Sequence, residues 1–167
     1  MEKTVFLGLG TNLGDRENNL SMAVKMIGEE IGKVTDCSSV YETEPWGFRS
    51  DNPFLNMVVK VRTSLRPSGL LGRILMIEAK LGRLRSGKGY KSRTMDIDIL
   101  LYGNDIIKKE DLEIPHPGIA VRRFVLEPLC ELAPDMIHPV LKVTFTELLE
   151  KCGDACGVSI KHPFAVT

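Results

Sequence analysis

The chain is poor in aromatic residues and has no excess charge of either sign. It contains one Trp, three Tyr and six Phe among 167 residues, and its 22 basic residues are balanced by 22 acidic ones. Proteins that bind nucleic acids or membrane surfaces usually carry a basic excess. We therefore expect neither a nucleic-acid partner nor a membrane partner.

Long hydrophobic runs are also absent from the sequence. No stretch approaches the roughly 18 apolar residues that a membrane-spanning helix needs. The apolar run near the N-terminus extends over only about five or six residues, which is shorter than the core of a secretory signal peptide. These features predict a cytoplasmic protein.

Cysteines are too few for a disulfide framework. The four cysteines are Cys37, Cys130, Cys152 and Cys156. The spacing of the last two, even with His162 nearby, does not fit the Cys-x2-Cys pairs and four ligands of a typical zinc site. We expect reduced thiols. The length suits one domain spanning residues 1–167, with the tail from residue 153 at its periphery.

The hydrophobic pattern predicts a ferredoxin-like α+β fold. Apolar periodicity indicates strands at 4–9, 34–43, 54–63 and 95–102, and helices at 15–31, 67–82, 120–132 and 145–152, with short extended pieces at 105–114. The order strand, helix, strand, strand, helix, strand is that of the split βαβ motif. It predicts a mainly antiparallel sheet with two helices on one face. Two long loops, 44–53 and 82–93, are expected to carry function.

Two carboxylates share one face of the fourth predicted strand. Asp96 and Asp98 are two residues apart, whereas Ile97, Ile99 and Leu101 would face the core. Carboxylates at this spacing repel each other unless a cation lies between them, and Mg²⁺ prefers oxygen ligands. The alternative is a charged strand edge that prevents aggregation.

The segment before this strand is rich in cations. Between Ala79 and Met95 there are six basic residues and no acidic ones: Lys80, Arg83, Arg85, Lys88, Lys91 and Arg93. Cationic side chains beside a carboxylate-bound metal are suited to polyphosphate. A solvated surface loop is the alternative, but the neighbouring aspartates favour phosphate binding.

Aromatic residues concentrate around the other loop. Four of the ten lie between positions 41 and 54: Tyr41, Trp46, Phe48 and Phe54. Rings in a turn-rich loop suggest a slot for a flat heterocycle, whose polar edge Asn56 could bind. Core packing is the alternative for Tyr41 and Phe48.

A third patch is the run Pro115-His116-Pro117, followed by Arg122-Arg123-Phe124. His116 could be a structural loop residue. Next to a predicted phosphate site, however, it is a better ligand candidate than His138 or His162.

Together these segments resemble one family, the pyrophosphokinases that act on 6-hydroxymethyl-7,8-dihydropterin in folate synthesis. The resemblance runs from about Val5 to Pro139. Its most specific part is Arg93-Thr94-Met95-Asp96-Ile97-Asp98, supported by Leu9 to Asp15, Tyr41 to Gly47, Phe54-Leu55-Asn56, Glu78 with Leu81 to Arg85, Pro115 to Pro117 and Arg122 to Leu126.

The resemblance implies transfer of pyrophosphate from ATP to the pterin hydroxymethyl group, with release of AMP. It further implies that Asp96 and Asp98 hold two Mg²⁺ ions and act in catalysis together with Arg83 and Arg93. The implied ATP-binding residues are Glu78, Arg85, Tyr90, Ile99, His116 and Arg122. The implied pterin-binding residues are Thr43, Trp46, Phe54, Asn56 and Phe124. We expect a monomer.

The sequence departs from the family pattern at two loop positions. Ser92 replaces the usual proline before the key arginine, and Tyr90 stands where tryptophan is common. Neither change removes a charge, so they bear on loop stiffness and closure. Two other functions remain open at this point, a module that binds nucleotide or RNA without chemistry and an ATP-dependent monophosphate kinase.

Overall fold

The computed structural model describes residues 1–43, 53–82, 94–155 and 157–164. The strands are β1 (Lys3–Thr11), β2 (Lys33–Cys37), β3 (Val40–Thr43), β4 (Phe54–Thr63), β5 (Asp96–Tyr102), β6 (Ile107–Lys109), β7 (Leu112–Ile114) and β8 (Val158–His162). The helices are α1 (Arg16–Glu30), α2 (Pro67–Gly82), α3 (Arg123–Leu132) and α4 (Phe145–Glu150), with a 3-10 turn at Ile119–Val121.

The main sheet confirms the predicted α+β fold. Its strand order is β5-β1-β4-β3-β8, with β2 also paired to β4, and every described pairing is antiparallel. The strands β6 and β7 form a separate hairpin. The central strand β1 therefore positions the residues of β5, and the central strand β4 positions those of β2 and β3.

Helices α1 and α2 pack on one face of the sheet, as the periodicity predicts. The side chain of Asp15 caps α1 by accepting a hydrogen bond from the backbone N–H of Asn18. Pro67 occupies the first turn of α2, where a missing N–H costs nothing. The buried stripes of the two helices join strand residues in one core: Leu20, Ala23, Val24 and Ile27 from α1, and Leu70, Ile74, Ile77 and Leu81 from α2.

The later helices cover part of the opposite face. Residues of α3 and α4, including Leu126, Leu129 and Phe145, pack against Phe6 and Val58 of the central strands. Both faces of the sheet are thus covered in part, and the part of the second face near the start of α3 borders a cleft.

The predicted strand at 34–43 is wrong as a single element, because it divides at Ser38. The hydroxyl of Ser38 accepts a hydrogen bond from the Val58 N–H at 2.9 Å, and the Ser38 N–H donates to the Val58 carbonyl at 2.9 Å. The next residue, Ser39, donates its N–H to the Glu131 carboxylate of α3. These bonds hold the chain between β2 and β3, and both strands stay antiparallel to β4.

The prediction that Leu101 shares a face with Ile97 and Ile99 is also wrong. In the pairing with β1, Ile99 is opposite Leu7, whereas Leu101 is opposite Phe6. The extra residue, Leu100, is a bulge that interrupts the alternation. Leu100 and Leu101 both join the second core, whereas Ile97 and Ile99 stay in the first.

The C-terminal segment adds an edge strand to which the sequence assigned no element. Strand β8 pairs antiparallel with β3, with Val158 opposite Thr43 and Ile160 opposite Tyr41. Within the described ranges, no helix is both long and apolar enough to cross a membrane.

The thiols of Cys37, Cys130 and Cys152 are free, in line with the expectation of reduced cysteines. Burial raises the pKa of Cys37, and separately that of Cys130, to about 11. Cys156 lies outside the described residues.

Candidate functional site

A cleft of about 180 Å³ lies on the sheet face that α3 leaves open. Strands β1, β4 and β5 form its floor, and the start of α3 forms a wall. Its lining includes seven residues that the sequence singled out or placed beside a site: Thr43, Phe54, Asn56, Asp96, Asp98, Arg122 and Phe124. The fold therefore brings the predicted ring slot and the predicted carboxylate pair into one cavity.

Asp96 and Asp98 both line this cleft and are half-buried. They lie opposite Gly10 and Gly8 of β1 in the antiparallel register. Among the residues that the structure describes, no group of three or more His, Cys, Asp and Glu side chains could hold a metal ion. A pair of carboxylates on one strand face suits Mg²⁺, which usually takes one or two protein carboxylates and completes its shell with phosphates and water.

The glycines opposite the aspartates keep the floor of the cleft open. A Cβ atom on Gly10 would lie 3.0 Å from Oδ1 of Asn56, and one on Gly8 would lie 3.4 Å from the Leu100 side chain. A side chain at position 10 would therefore push against Asn56 and narrow the cleft. Gly8 and Gly10 were not predicted as site residues from the sequence, although glycines within a strand often mark a place where a ligand or another backbone approaches closely.

The polar edge of the ring slot is ordered by a buried hydrogen bond. The Nδ2 atom of Asn56 donates to the hydroxyl of Thr43 at 2.9 Å, and both side chains are nearly fully buried. Because Asn56 donates with its nitrogen, its oxygen is directed elsewhere and faces the position of Gly10. An amide and a hydroxyl fixed in this way can recognise donors and acceptors on a heterocycle.

Two aromatic rings border the same cleft. Phe54 begins β4, and Phe124 lies in the first turn of α3. The guanidinium carbon of Arg122 lies 5.9 Å from the centre of the Phe124 ring, which is a cation–π distance. Arg122 therefore adds positive charge to the cleft that Asp96 and Asp98 also line.

A second cleft of about 330 Å³ adjoins the first at Asp98, which lines both. It lies between β5 and the β6–β7 hairpin, and its lining includes Ile99, His116, Pro117 and four charged residues of the hairpin: Lys109, Glu110, Asp111 and Glu113. Of the predicted nucleotide-binding residues, Ile99 lies on the carboxylate strand β5 itself, and the fold brings His116 to the same cleft. The arrangement offers two compartments that share one carboxylate.

The backbone and ring of His116 are both held in place. Its N–H donates to the Leu100 carbonyl at 3.0 Å, and its Nδ1 accepts from the Gly118 N–H at 2.9 Å. A neutral imidazole that accepts at Nδ1 carries its proton on Nε2. The ring therefore presents an N–H donor, which suits an anionic ligand.

Several predicted site residues lie outside the described residues. These are Trp46 in the first loop and Arg83, Arg85, Tyr90 and Arg93 in the second. Phe48 and Ser92 lie outside them as well. The described cations that line the two clefts are Arg122 and Lys109.

A model of the family described as 7,8-dihydro-6-hydroxymethylpterin-pyrophosphokinase matches residues 6–134 of this chain. That span contains most of β1, all of β2 to β7, helices α1 to α3 and every described residue of the two clefts. The chain belongs to this pyrophosphokinase family.

Curated members of the family are similar over most of their length. The 2-amino-4-hydroxy-6-hydroxymethyldihydropteridine pyrophosphokinase of Porphyromonas gingivalis is 45% identical over 138 residues, covering 81% of this chain and 93% of its own. The enzyme of the same name from Aquifex aeolicus is 41% identical over 144 residues, covering 86% and 89%. The family resemblance seen in the sequence is thereby confirmed.

Among solved structures, wild-type Plasmodium falciparum HPPK-DHPS superposes with a TM-score of 0.69 at 19% identity. The match covers 89% of this chain and 43% of that longer chain, so it establishes the shared fold alone. In the pyrophosphokinase of the present structure, this fold places the two clefts on either side of Asp98.

Proposed function

We propose that this pyrophosphokinase transfers a pyrophosphoryl group from ATP to the hydroxymethyl oxygen of 6-hydroxymethyl-7,8-dihydropterin, giving AMP and the pterin diphosphate. The observation that carries the proposal is the position of Asp98 on the border of two clefts. One cleft has rings and buried polar groups suited to a pterin, and the other has a histidine suited to a polyphosphate.

The pterin would occupy the first cleft, with Phe54 and Phe124 as its stacking partners. The buried pair Thr43 and Asn56 would bind its polar edge. Stacking orients the flat ring, and hydrogen bonds fix its rotation within the plane. This orientation would direct the hydroxymethyl group toward the aspartates at the floor.

ATP would occupy the second cleft, with Ile99 beside the base or ribose and His116 near the phosphates. Arg122 would meet the phosphates from the side of the first cleft. Arg122 and the other cations of the site would have two effects. They would bind ATP in the ground state, and they would balance the negative charge that builds up during transfer. From the resemblance, Arg83, Arg85, Tyr90 and Arg93 are proposed to take part as well, with Glu78 supporting the site.

Asp96 and Asp98 would hold Mg²⁺, which supplies charge neutralisation and orientation of the phosphates. The hydroxymethyl oxygen forms a bond to the β-phosphorus, and the bond from that phosphorus to the α–β bridging oxygen breaks. AMP leaves with the bridging oxygen, and the hydroxyl proton passes to water. Reactions of this class depend mainly on positioning and electrostatics.

We propose two Mg²⁺ ions, a monomeric enzyme in the cytoplasm, and no nucleic-acid or membrane partner. The balanced charge of the chain supports the last point.

The test is an analysis of the products. Incubation with ATP, Mg²⁺ and 6-hydroxymethyl-7,8-dihydropterin under reducing conditions should give AMP and pterin diphosphate in equal amounts, read by phosphorus NMR or nucleotide chromatography. ADP as the main nucleotide would indicate a monophosphate kinase. Nucleotide binding without any pterin-dependent loss of ATP would indicate a binding module.

A further inference from the structure

Arg16, the first residue of α1, joins the two chain segments that enter the ring slot. Its Nη1 donates a hydrogen bond to the Pro53 carbonyl at 2.7 Å. The same nitrogen lies 3.8 Å from Oε2 of Glu42. Pro53 immediately precedes Phe54, and Glu42 immediately precedes Thr43, so one guanidinium contacts the neighbours of two residues that line the cleft.

The turn that precedes Arg16 is itself held by side-chain hydrogen bonds. Nδ2 of Asn19 donates to the Leu13 carbonyl at 2.9 Å and contacts the Thr11 hydroxyl at 3.3 Å. Thr11 ends β1 and is opposite Leu55 of β4. The turn between β1 and α1 is therefore tied to the sheet, and the Arg16 side chain extends from a rigid support.

Neighbouring charges restrain the position of Glu42. Nζ of Lys161 on β8 lies 3.8 Å from Oε2 of Glu42 and 3.5 Å from Oε2 of Glu17. Strand β8 thereby restrains Glu42 from the outer edge of the sheet. The Arg16 side chain is only 20% exposed, so its bond to the Pro53 carbonyl is partly shielded from water.

We propose that Arg16 is a positioning residue for the pterin, acting through Pro53 and Glu42 on Phe54 and Thr43. The inference rests on the proposed function. A charged donor to a partly buried carbonyl holds its position more firmly than a neutral one. Ring stacking depends on the position of Phe54 at the mouth of the slot. The nucleotide cleft lies beyond Asp98, and Arg16 is not part of its lining.

The experiment compares the ligand affinities of the Arg16→Met variant with those of the unmodified enzyme. This substitution removes the guanidinium but keeps an apolar side chain. Pterin binding is measured by calorimetry in the presence of a non-hydrolysable ATP analogue and Mg²⁺. Loss of a charged hydrogen bond should weaken pterin binding and raise the pterin KM by about tenfold. Affinity for the ATP analogue alone should stay within about twofold, because binding there uses other residues.

Arg16→Lys and Arg62→Met complete the design. A lysine can still donate to the Pro53 carbonyl, so Arg16→Lys should regain part of the pterin affinity. Arg62 lies on the same strand as Phe54, and its exposed ion pair with Glu2 at 3.1 Å is remote from the cleft. Arg62→Met should bind pterin like the unmodified enzyme.

The inference is overturned if Arg16→Met binds pterin as the unmodified enzyme does. It is also overturned if both Arg16 variants lose pterin and nucleotide affinity in parallel, since that pattern indicates general damage to the fold. If the unmodified enzyme produces no pterin-dependent AMP, the proposed function itself fails, whatever the Arg16 variants do.

Discussion

Glu78 of α2 accepts a hydrogen bond from the backbone N–H of Ile97, with Oε2 2.8 Å from the nitrogen. Ile97 lies between Asp96 and Asp98 on β5, which forms one edge of the main sheet. The carboxylate of a helix thus fixes the backbone between the two proposed metal ligands. Glu78 is absent from the lining of both described clefts, so the contact favours an indirect role.

We predict that Glu78→Ala raises the Mg²⁺ concentration needed for half-maximal activity by about three- to tenfold. The variant leaves the Ile97 N–H without its acceptor, which costs about 1–3 kcal/mol when the group is buried. Glu78→Gln keeps an oxygen acceptor and should stay close to the unmodified enzyme. A Mg²⁺ titration of the steady-state rate measures the effect.

Arg73→Ala on the same helix is the control, since Arg73 pairs at 3.0 Å with Glu30. A large loss in Glu78→Gln would contradict the backbone role. It would indicate instead that the charge of Glu78 is needed by a ligand.

We predict that Asp96→Asn or Asp98→Asn lowers kcat/KM by about a hundredfold or more while the protein still folds. Each change removes a ligand charge, and several kcal/mol of transition-state stabilisation depend on the metal. Rates at saturating Mg²⁺ and circular dichroism measure the two effects. Asp105→Asn, which removes only an exposed pair with Lys3 at 3.6 Å, is the control. Near-normal rates in either site variant would refute the metal assignment.

The sequence predicts most of the fold, because the helices and central strands follow their hydrophobic periods closely. It fails at Ser38, where the predicted strand divides into β2 and β3, and at Leu100, where one extra residue interrupts the alternation of β5. Interruptions of this kind depend on contacts with a neighbouring strand or helix, here Val58 and Glu131 for the first of them. Such contacts are between residues far apart in sequence, so a local pattern cannot reveal them.

In the candidate site, too, residues with a local pattern could be predicted, whereas residues that act through distant contacts could not. The shared strand face of Asp96 and Asp98 was predicted from their spacing, because strand alternation is local, and the cations of the preceding segment then favoured a phosphate site there. Gly8, Gly10 and Arg16 were not predicted as site residues, because their roles depend on Asn56, Leu100 and Pro53 across the sheet. Residues that act by leaving space or by holding a backbone have little signature in a single sequence.

We predict that Phe54→Ala or Phe124→Ala weakens pterin binding by roughly 1–3 kcal/mol, by analogy with bases stacked on protein rings. Affinity for an ATP analogue should change much less, because neither ring lines the second cleft. Calorimetric titration of the ATP-analogue complex with pterin measures the difference. Tyr41→Phe is a useful comparison: the Tyr41 hydroxyl donates to Glu131 at 2.8 Å, and Tyr41 is absent from the lining of the cleft. Equal losses for both ligands would argue against the slot.

The imidazole of His162 connects the edge strand β8 to helix α1. His162 on β8 is held between two acceptors, with Nδ1 2.7 Å from the Pro163 carbonyl and Nε2 2.8 Å from Oε1 of Glu17. The carbonyl bond and then the Glu17 bond raise the pKa of His162 above its ordinary value of 6.5, while desolvation and Lys161 oppose the rise.

A raised pKa in the folded state means that the folded protein holds this proton more tightly than the unfolded chain does. The stabilisation is therefore complete below pH 6.5 and disappears as the pH rises through the folded pKa. His162→Gln should accordingly destabilise the protein at pH 5.5 but have little effect at pH 9. Because the side chain is 39% exposed, solvent screening keeps the difference below about 1 kcal/mol.

Urea unfolding of the unmodified protein and of the His162→Gln variant across this pH range measures the difference in their free energies of unfolding. Glu17→Gln is the matched variant: it removes the carboxylate but leaves the Pro163 carbonyl, so it should reduce the pH dependence without abolishing it. A difference between His162→Gln and the unmodified protein that grows with rising pH would have the wrong sign. It would show that His162 is held on the sheet edge as a neutral ring.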